Sequence, residues 1–261
     1  GAIHALTEPG DRVVLATGNT YDQFLLVLAV ARAGRLPAPV NSQMAPAEIE
    51  HVIQDSGASL VLASAEELDV DTPLGRAEPA APGDIAALFY TSGTTGKPKG
   101  AELTHRGLFG GMPLTSLIPR RTHRDELVAA LPVAHIYGFT LVIGAACAGM
   151  PVYFLQKFNP VKVLDAIETR RTSIFAGVPA MYRMLMEAGA EARDLSCVRM
   201  WISGADAMPQ ELSQQFKKLG ASVRLPVVGS VGEATFAEGY GMVETGGGVA
   251  MRISPPLVSG G

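Results

Sequence analysis

The sequence predicts an α/β fold made of two mostly parallel β-sheet subdomains flanked by helices. One observation is the alternation at 12–63, where short β-rich apolar runs are separated by longer segments with apolar residues at helical spacing. A second is that the alternation resumes at Leu127, after the charged, proline-containing break at 116–126. Strands joined in this way by crossover helices form parallel sheets covered by helices. A third is composition: 261 residues, 48% of them hydrophobic, suffice for the core of one large or two small domains.

In chain order, 12–16 reads as the first strand. Residues 22–35 read as a helix, with Phe24, Val27, Leu28 and Ala31 at helical spacing and Gly34 near its end. An extended run follows at 36–40. The next helix opens near Pro46, carries Ile49, Val52 and Ile53 on one face, and closes at Gly57. Residues 58–63 are the third strand, 66–82 a polar surface connection, and 85–89 a buried strand. A short helix capped by Thr104 is expected within 103–111.

The second half reads as strands at 127–131 and 152–155 around a helix at 136–148. Residues 127–156 carry no formal charge and are long enough to span a bilayer, but prolines and glycines divide them into strand, buried helix and strand. Asn159-Pro160 starts a helix that continues through Val161, Leu164 and Ile167. A strand at 173–175 precedes a helix at 179–188 with Met and Leu on its inner face. A strand at 198–202 precedes a helix at 209–219 bearing Leu212, Phe216 and Leu219. Beyond Gly220 the periodicity weakens. The expected boundaries are 1–118 for the first subdomain, 119–126 for a linker and 127–261 for the second.

Charge excludes some functions. The net charge of −4, with no basic block longer than pairs such as Arg120-Arg121, leaves no nucleic-acid footprint. An anionic ligand must therefore be held by local charge and backbone donors. Cys147 and Cys197 sit in apolar stretches and read as buried free thiols of a reducing, cytoplasmic compartment.

Four segments carry chemistry. Tyr90-Thr-Ser-Gly-Thr-Thr-Gly-Lys-Pro-Lys-Gly100 follows a buried strand and combines glycines, hydroxyls and two lysines. That composition suits a loop wrapping a polyphosphate. It is not the P-loop of NTPases, because Gly93 and Gly96 are separated by two residues and Lys97 precedes Pro98. His135, in Leu131-Pro-Val-Ala-His-Ile-Tyr-Gly138, follows a strand end, where open α/β sheets place ligands. In Ser203-Gly-Ala-Asp-Ala-Met-Pro209, a strand–helix turn, small residues let a flat ring approach the backbone. In Glu238-Gly-Tyr-Gly-Met-Val-Glu-Thr-Gly-Gly247 an aromatic beside glycine suits stacking on a nucleobase, and a nearby carboxylate suits Mg²⁺.

Together these segments resemble the adenylate-forming superfamily, which includes acyl- and aryl-CoA ligases, luciferase-like enzymes and peptide-synthetase adenylation domains. The first is similar to its phosphate loop and the second to its Leu-Pro-x-x-His-x-x-Gly segment. The third is similar to its Ser-Gly-Gly/Ala-Ala-Pro turn and the fourth to its Tyr-Gly-x-Thr-Glu motif. The resemblance is closest to a fatty-acid–CoA ligase and implies the layered α/β/α/β/α large domain. It implies that Thr91, Ser92, Gly93, Thr94, Thr95, Gly96 and Lys99 hold the β- and γ-phosphates of ATP. His135 would border the carboxylate end of an acyl pocket. Gly204 and Ala205 would lie against adenine, Tyr240 would stack on it beside Gly241, and Glu244 would ligate Mg²⁺. Thr91, Lys99, His135 and Glu244 are the implied catalytic residues.

The implied reaction activates a monocarboxylic, fatty-acid-like substrate as an acyl-adenylate and then transfers the acyl group to coenzyme A. The apolar linings offered by the 136–148 helix and by 175–179 carry no cation for a second carboxylate. Val243 departs from the motif by replacing the usual threonine, which removes one hydroxyl that Thr245 or water would have to supply. The family's C-terminal barrel, hinge and lysine-bearing small domain are not recognisable before Gly261. A truncated large domain, severely impaired alone, is therefore expected. A carrier-loading fatty acyl-AMP ligase and a non-catalytic nucleotide-binding scaffold are the competing readings; the absence of an Asp after His135 weighs against the first. Peripheral membrane contact and homo-oligomerisation stay open, and no transmembrane segment is expected.

Overall fold

The computed structural model describes residues 1–41, 43–69, 71, 73–91, 96–110, 125–225 and 229–255. The chain forms two compact units. The first takes Gly1–Gly111, Pro132–Thr140 and Met242–Gly247; the second takes Met112–Leu131, Leu141–Gly241 and Gly248–Gly261. Of the linker expected at 119–126, only Asp125 and Glu126 are among the described residues.

In the first unit, α1 (Ala2–Leu6) precedes β1 (Arg12–Leu15), α2 (Tyr21–Arg32), β2 (Leu36–Pro39), α3 (Pro46–Ser56) and β3 (Leu60–Leu62). The three strands make a parallel sheet in the order β2-β1-β3, as the alternation requires. The Thr20 side chain caps α2 by accepting the Gln23 N–H. The buried Gln23 amide donates to the carbonyls of Leu15 and Val40, 3.0 Å each, and so ties together the chain at the ends of β1 and β2. Pro46 opens α3, and Gly57 ends it in the left-handed region at φ 61°. That helix packs Val52, Ile49 and Ile53 against Val14, Ala38 and Leu88.

The α2 helix stops at Arg32, three residues short of the expected 35. Gly34 accounts for the difference, turning into the left-handed region at φ 73° and ending the helix; beyond it Arg35 is 2% exposed and donates to the Thr7 hydroxyl at 2.9 Å and to the carbonyls of Ala33, His4 and Thr7. These bonds satisfy the buried guanidinium and tie the chain after α2 to the end of α1.

Next come β4 (Ile85–Thr91), β5 (Lys99–Thr104) and α4 (His105–Phe109). The β4–β5 pair is antiparallel, from Thr91↔Lys99 to Ile85↔Thr104. The strand β5 leaves no signal in the sequence, because only Leu103 in it is buried and it shows no apolar face. Thr104 caps α4 as expected, accepting the Gly107 N–H at 3.0 Å. Phe139 packs on Phe24 and Phe89, with ring centroids 5.5 and 5.3 Å apart.

The second unit is built on β6 (Leu127–Ala129), β7 (Val152–Phe154), β8 (Ile174–Gly177), β9 (Met200–Gly204), β12 (Thr235–Met242) and β13 (Gly247–Ser254). They form one sheet in the order β13-β12-β9-β8-β6-β7, parallel from β7 across to β12. The connecting helices are α5 (Ile136–Cys147), α6 (Pro160–Arg170), α7 (Pro179–Glu187) and α8 (Gln210–Leu219). The division between units falls within α5, after Thr140. The short strands β10 (Val223–Leu225) and β11 (Gly229–Val231) pair antiparallel.

The core of this unit sets an aromatic group among aliphatic side chains. Tyr182 meets Phe216 edge-on at 4.8 Å, Trp201 meets Phe216 at 5.0 Å, and Phe175 and Phe236 pack against the same group. At the opening ends of the strands, Asp125 accepts two bonds from Arg199 and one from Ser173, 2.7 Å each, fastening β6, β8 and β9 together.

The apolar segment at 127–156 resolves into strand, helix and strand, and no helix among the described residues is long and apolar enough to cross a membrane. Cys197 is half-buried, but Cys147 is exposed, against the expectation of two buried thiols. It is the last residue of α5, at the end of the helix where the neighbouring Ala146 is exposed too.

Candidate functional site

Each unit gathers part of the predicted constellation. In the first, β4 delivers Thr91 and β5 begins at Lys99, its partner across the ladder. The Thr91 hydroxyl points toward the Lys99 carbonyl at 3.5 Å, a weak contact that leaves it free to rotate to a ligand. Gly96 takes φ 89°, a backbone conformation that favours glycine, and Lys97 and Lys99 are exposed. Ser92, Gly93, Thr94 and Thr95 lie outside the described residues.

Glu244 sits in a single 3₁₀ turn, Val243–Thr245, that lies against both β4 and β5. Two glycines seat this turn. Gly246 has φ 73° and lies so close to α4 that a Cβ would fall 2.2 Å from the Gly107 carbonyl oxygen. Gly247 faces Ile136 and Thr140 of α5, the helix that begins directly after His135. Thr91, Lys99, Glu244 and His135 thus fall in the same unit, with the Glu244 turn against the two strands that carry Thr91 and Lys99. Val243 is buried at 5% exposure. The Thr245 hydroxyl is engaged inside its own turn, 2.9 Å from the Met242 carbonyl and 3.1 Å from that of Gly247. It is therefore occupied where the sequence left it available to replace the missing threonine.

His135 has substantial exposed surface, yet the protein around it is dense enough to disfavour the imidazolium and lower its pKa. Its Nδ1 accepts the Tyr137 N–H at 3.2 Å, so the proton of the neutral ring is on Nε2. The side chain offers one N–H donor and no charge.

In the second unit, Ala205–Ala207 after β9, residues 238–241 of β12, and Ala250 and Arg252 of β13 surround a cleft of about 480 Å³. Gly204 is the ladder partner of Gly239, and Ala205 turns into the left-handed region at φ 68°, which is unusual for a residue with a side chain. Tyr240 is 64% exposed within this cleft and Gly241 follows it on the same wall. An exposed ring above a small-residue turn can receive a flat heteroaromatic ligand. The segment around Tyr240 is the end of an eight-residue strand, whereas the sequence presents it as glycine-rich and aperiodic. Asp206, Glu238 and Arg252 also line the cleft, Glu238 and Arg252 3.5 Å apart. Sequence reasoning missed Arg252 because β13 shows no signal tying it to β12.

Phe175, part of an expected acyl lining, is fully buried among Tyr182 and Trp201. Its ring serves the core.

The profile of the family described as AMP-binding enzyme matches residues 4–76 and 64–260, and the chain belongs to that family. Feruloyl-CoA synthase of an Amycolatopsis species is 30% identical over 92% of this chain and 51% of its own length. Long-chain-fatty-acid–CoA ligase FadD13 of Mycobacterium tuberculosis is 27% identical over 94% of this chain and 52% of its own. The chain spans about half the length of these curated relatives. Among solved structures, the N-terminal domain of FACL13 from Mycobacterium tuberculosis superposes with a TM-score of 0.76 at 25% identity, covering 96% of this chain and 67% of that one. O-succinylbenzoate CoA synthetase of Bacillus subtilis, solved with ATP and magnesium ion, shares the fold with a TM-score of 0.75 at 23% identity, covering 94% of this chain and 52% of that one.

Proposed function

We propose that these residues form the nucleotide- and acyl-binding part of an AMP-forming acid–thiol ligase acting on a monocarboxylic acid. The observation that carries the reading is the cleft in which Ala205, Tyr240 and Gly241 meet, in a chain of the AMP-binding enzyme family. In the proposed reaction a substrate carboxylate oxygen attacks the α-phosphorus of ATP. The bond from that phosphorus to the bridging oxygen breaks, and pyrophosphate leaves an acyl-adenylate. The thiol of coenzyme A then takes the acyl group, releasing AMP. No protein nucleophile is required, so the residues act by positioning and charge.

In this reading the backbone at Gly204 and Ala205 lies against adenine, Tyr240 stacks on it and Gly241 leaves room for it. Thr91, Ser92, Thr94, Thr95 and Lys99 hold the β- and γ-phosphates, with Gly93 and Gly96 bringing N–H groups close. His135, neutral and donating from Nε2, orients the substrate carboxylate without neutralising it. Among the described residues no cluster of three or more His, Cys, Asp or Glu could hold a metal alone. Mg²⁺ takes one or two carboxylates and completes its shell with phosphates and water. Glu244, exposed on its turn, is the carboxylate that would hold it. When bound, the ion neutralises charge on the phosphate oxygens.

Calorimetric titration with ATP and Mg²⁺ tests the reading. Tyr240→Ala is expected to weaken ATP and AMP alike by about tenfold, the order of one lost stacking contact. Equal affinity in the variant would remove the adenine assignment. An ATP–pyrophosphate exchange panel of fatty acids, ferulate and malonate then tests the acid, and a preference for malonate would reject the monocarboxylic class.

A further inference from the structure

We propose that one face of α3 clamps both stems of the loop at 92–98, with His51 and Asp55 as positioning residues for phosphate binding. The inference rests on the reading of that loop as the phosphate-binding element. His51 and Asp55 are four residues apart, one helical turn, and so share a face of α3. Asp55 Oδ2 accepts the Tyr90 hydroxyl proton at 2.9 Å, and Tyr90 is the residue of β4 just before Thr91. His51 Nε2 lies 2.9 Å from the carbonyl oxygen of Pro98, the residue just before Lys99. A carbonyl only accepts, so His51 is the donor in either charge state. One helix thus grips the strand entering the loop and the strand leaving it.

Two further features show that the grip is built in. The Tyr90 ring lies over its ladder partner Gly100, where a Cβ would fall 2.9 Å from the ring, so glycine leaves room for the ring in the position from which its hydroxyl reaches Asp55. Pro98 is buried and has no N–H, which leaves its carbonyl as the backbone group that can be held there. Burial and the Asp55 carboxylate also push the Tyr90 pKa up, keeping the phenol protonated as the donor.

The consequence is preorganisation. A glycine-rich loop that holds phosphates through N–H groups must be ordered before or during binding, and fixing both ends in advance lowers that entropic cost. Neither His51 nor Asp55 is assigned to a ligand, so their effect should appear only where the loop is used.

The test compares ATP and AMP binding, each with Mg²⁺, in the unaltered chain and in His51→Ala, Asp55→Ala, His51→Gln and Asp55→Asn. Each alanine variant is expected to lose about tenfold in ATP affinity, the effect of one hydrogen bond, with AMP affinity unchanged. The Gln and Asn variants, which keep a donor and an acceptor, are expected to recover most of it. Hydrogen exchange on the ligand-free chain supplies an independent arm: amides across 91–99 should exchange faster in the alanine variants while the global unfolding midpoint stays put. Equal loss of ATP and AMP binding, or unmoved exchange at 91–99, would overturn the clamp. Failure of the unaltered chain to bind either nucleotide would overturn the proposed function, and the exchange arm would then decide the clamp alone.

Discussion

His135 shows how much one backbone contact settles at the residue scale. The Tyr137 N–H occupies Nδ1, and desolvation lowers the ring's pKa below its ordinary 6.5. The folded state therefore prefers the neutral ring more strongly than the unfolded chain does. As the pH falls below about 6.5, the unfolded chain binds the proton first and stability declines, levelling off below the folded-state pKa. His135→Gln, which keeps a neutral polar side chain, should lose less stability than the unaltered chain between about pH 7.5 and 5.5. Denaturant melts at the two pH values measure this, and an unchanged difference would mean that the ring is not desolvated. Val243 illustrates the opposite case, a residue whose place in a motif says less than its surroundings. It is buried, and the neighbouring Thr245 hydroxyl bonds to the Met242 and Gly247 carbonyls of its own turn.

At the scale of elements, the turn at Val243–Thr245 depends on glycine for a steric reason that its sequence does not display. Gly246→Ala forces φ 73° on a residue with a side chain and drives a Cβ into the Gly107 carbonyl. The expected cost is about 2–3 kcal/mol or more, visible as a lower unfolding midpoint. An unchanged midpoint would mean the turn is not seated on α4. Helix boundaries were largely legible because their signals are local. Asn159 caps α6, Thr104 caps α4, and Gly57 closes α3, each within a few residues of the end it defines. The strands β5, β12 and β13 were not legible. Of these, β5 and β13 each bury a single residue, and β12 is interrupted by Gly239 and Gly241, so none presents a clean period of two.

On the scale of the whole molecule, the core of the second unit packs one aromatic group among Val, Leu, Ile and Ala side chains. Phe216 is fully buried between Tyr182 and Trp201. Phe216→Ala should cost about 3–5 kcal/mol, read through the fluorescence of Trp201, the chain's single tryptophan. A loss under about 1 kcal/mol would mean that the core closes over the gap. By itself the sequence determined the α/β class, the helix caps and the identity of the chemical groups: hydroxyls and lysines in one loop, a histidine after a strand, an aromatic and a carboxylate four residues apart. These are properties of short windows, written in propensity, capping and side-chain type. Only the tertiary structure decided that 242–247 belongs with the first unit, that Arg35 is buried, that Glu238 and Arg252 share the Tyr240 cleft, and that α3 grips both stems of the loop. Each of these depends on segments far apart in the chain meeting at a set register, such as Thr235 beside Met200, and that pairing is chosen by burial over the whole core rather than by any local pattern.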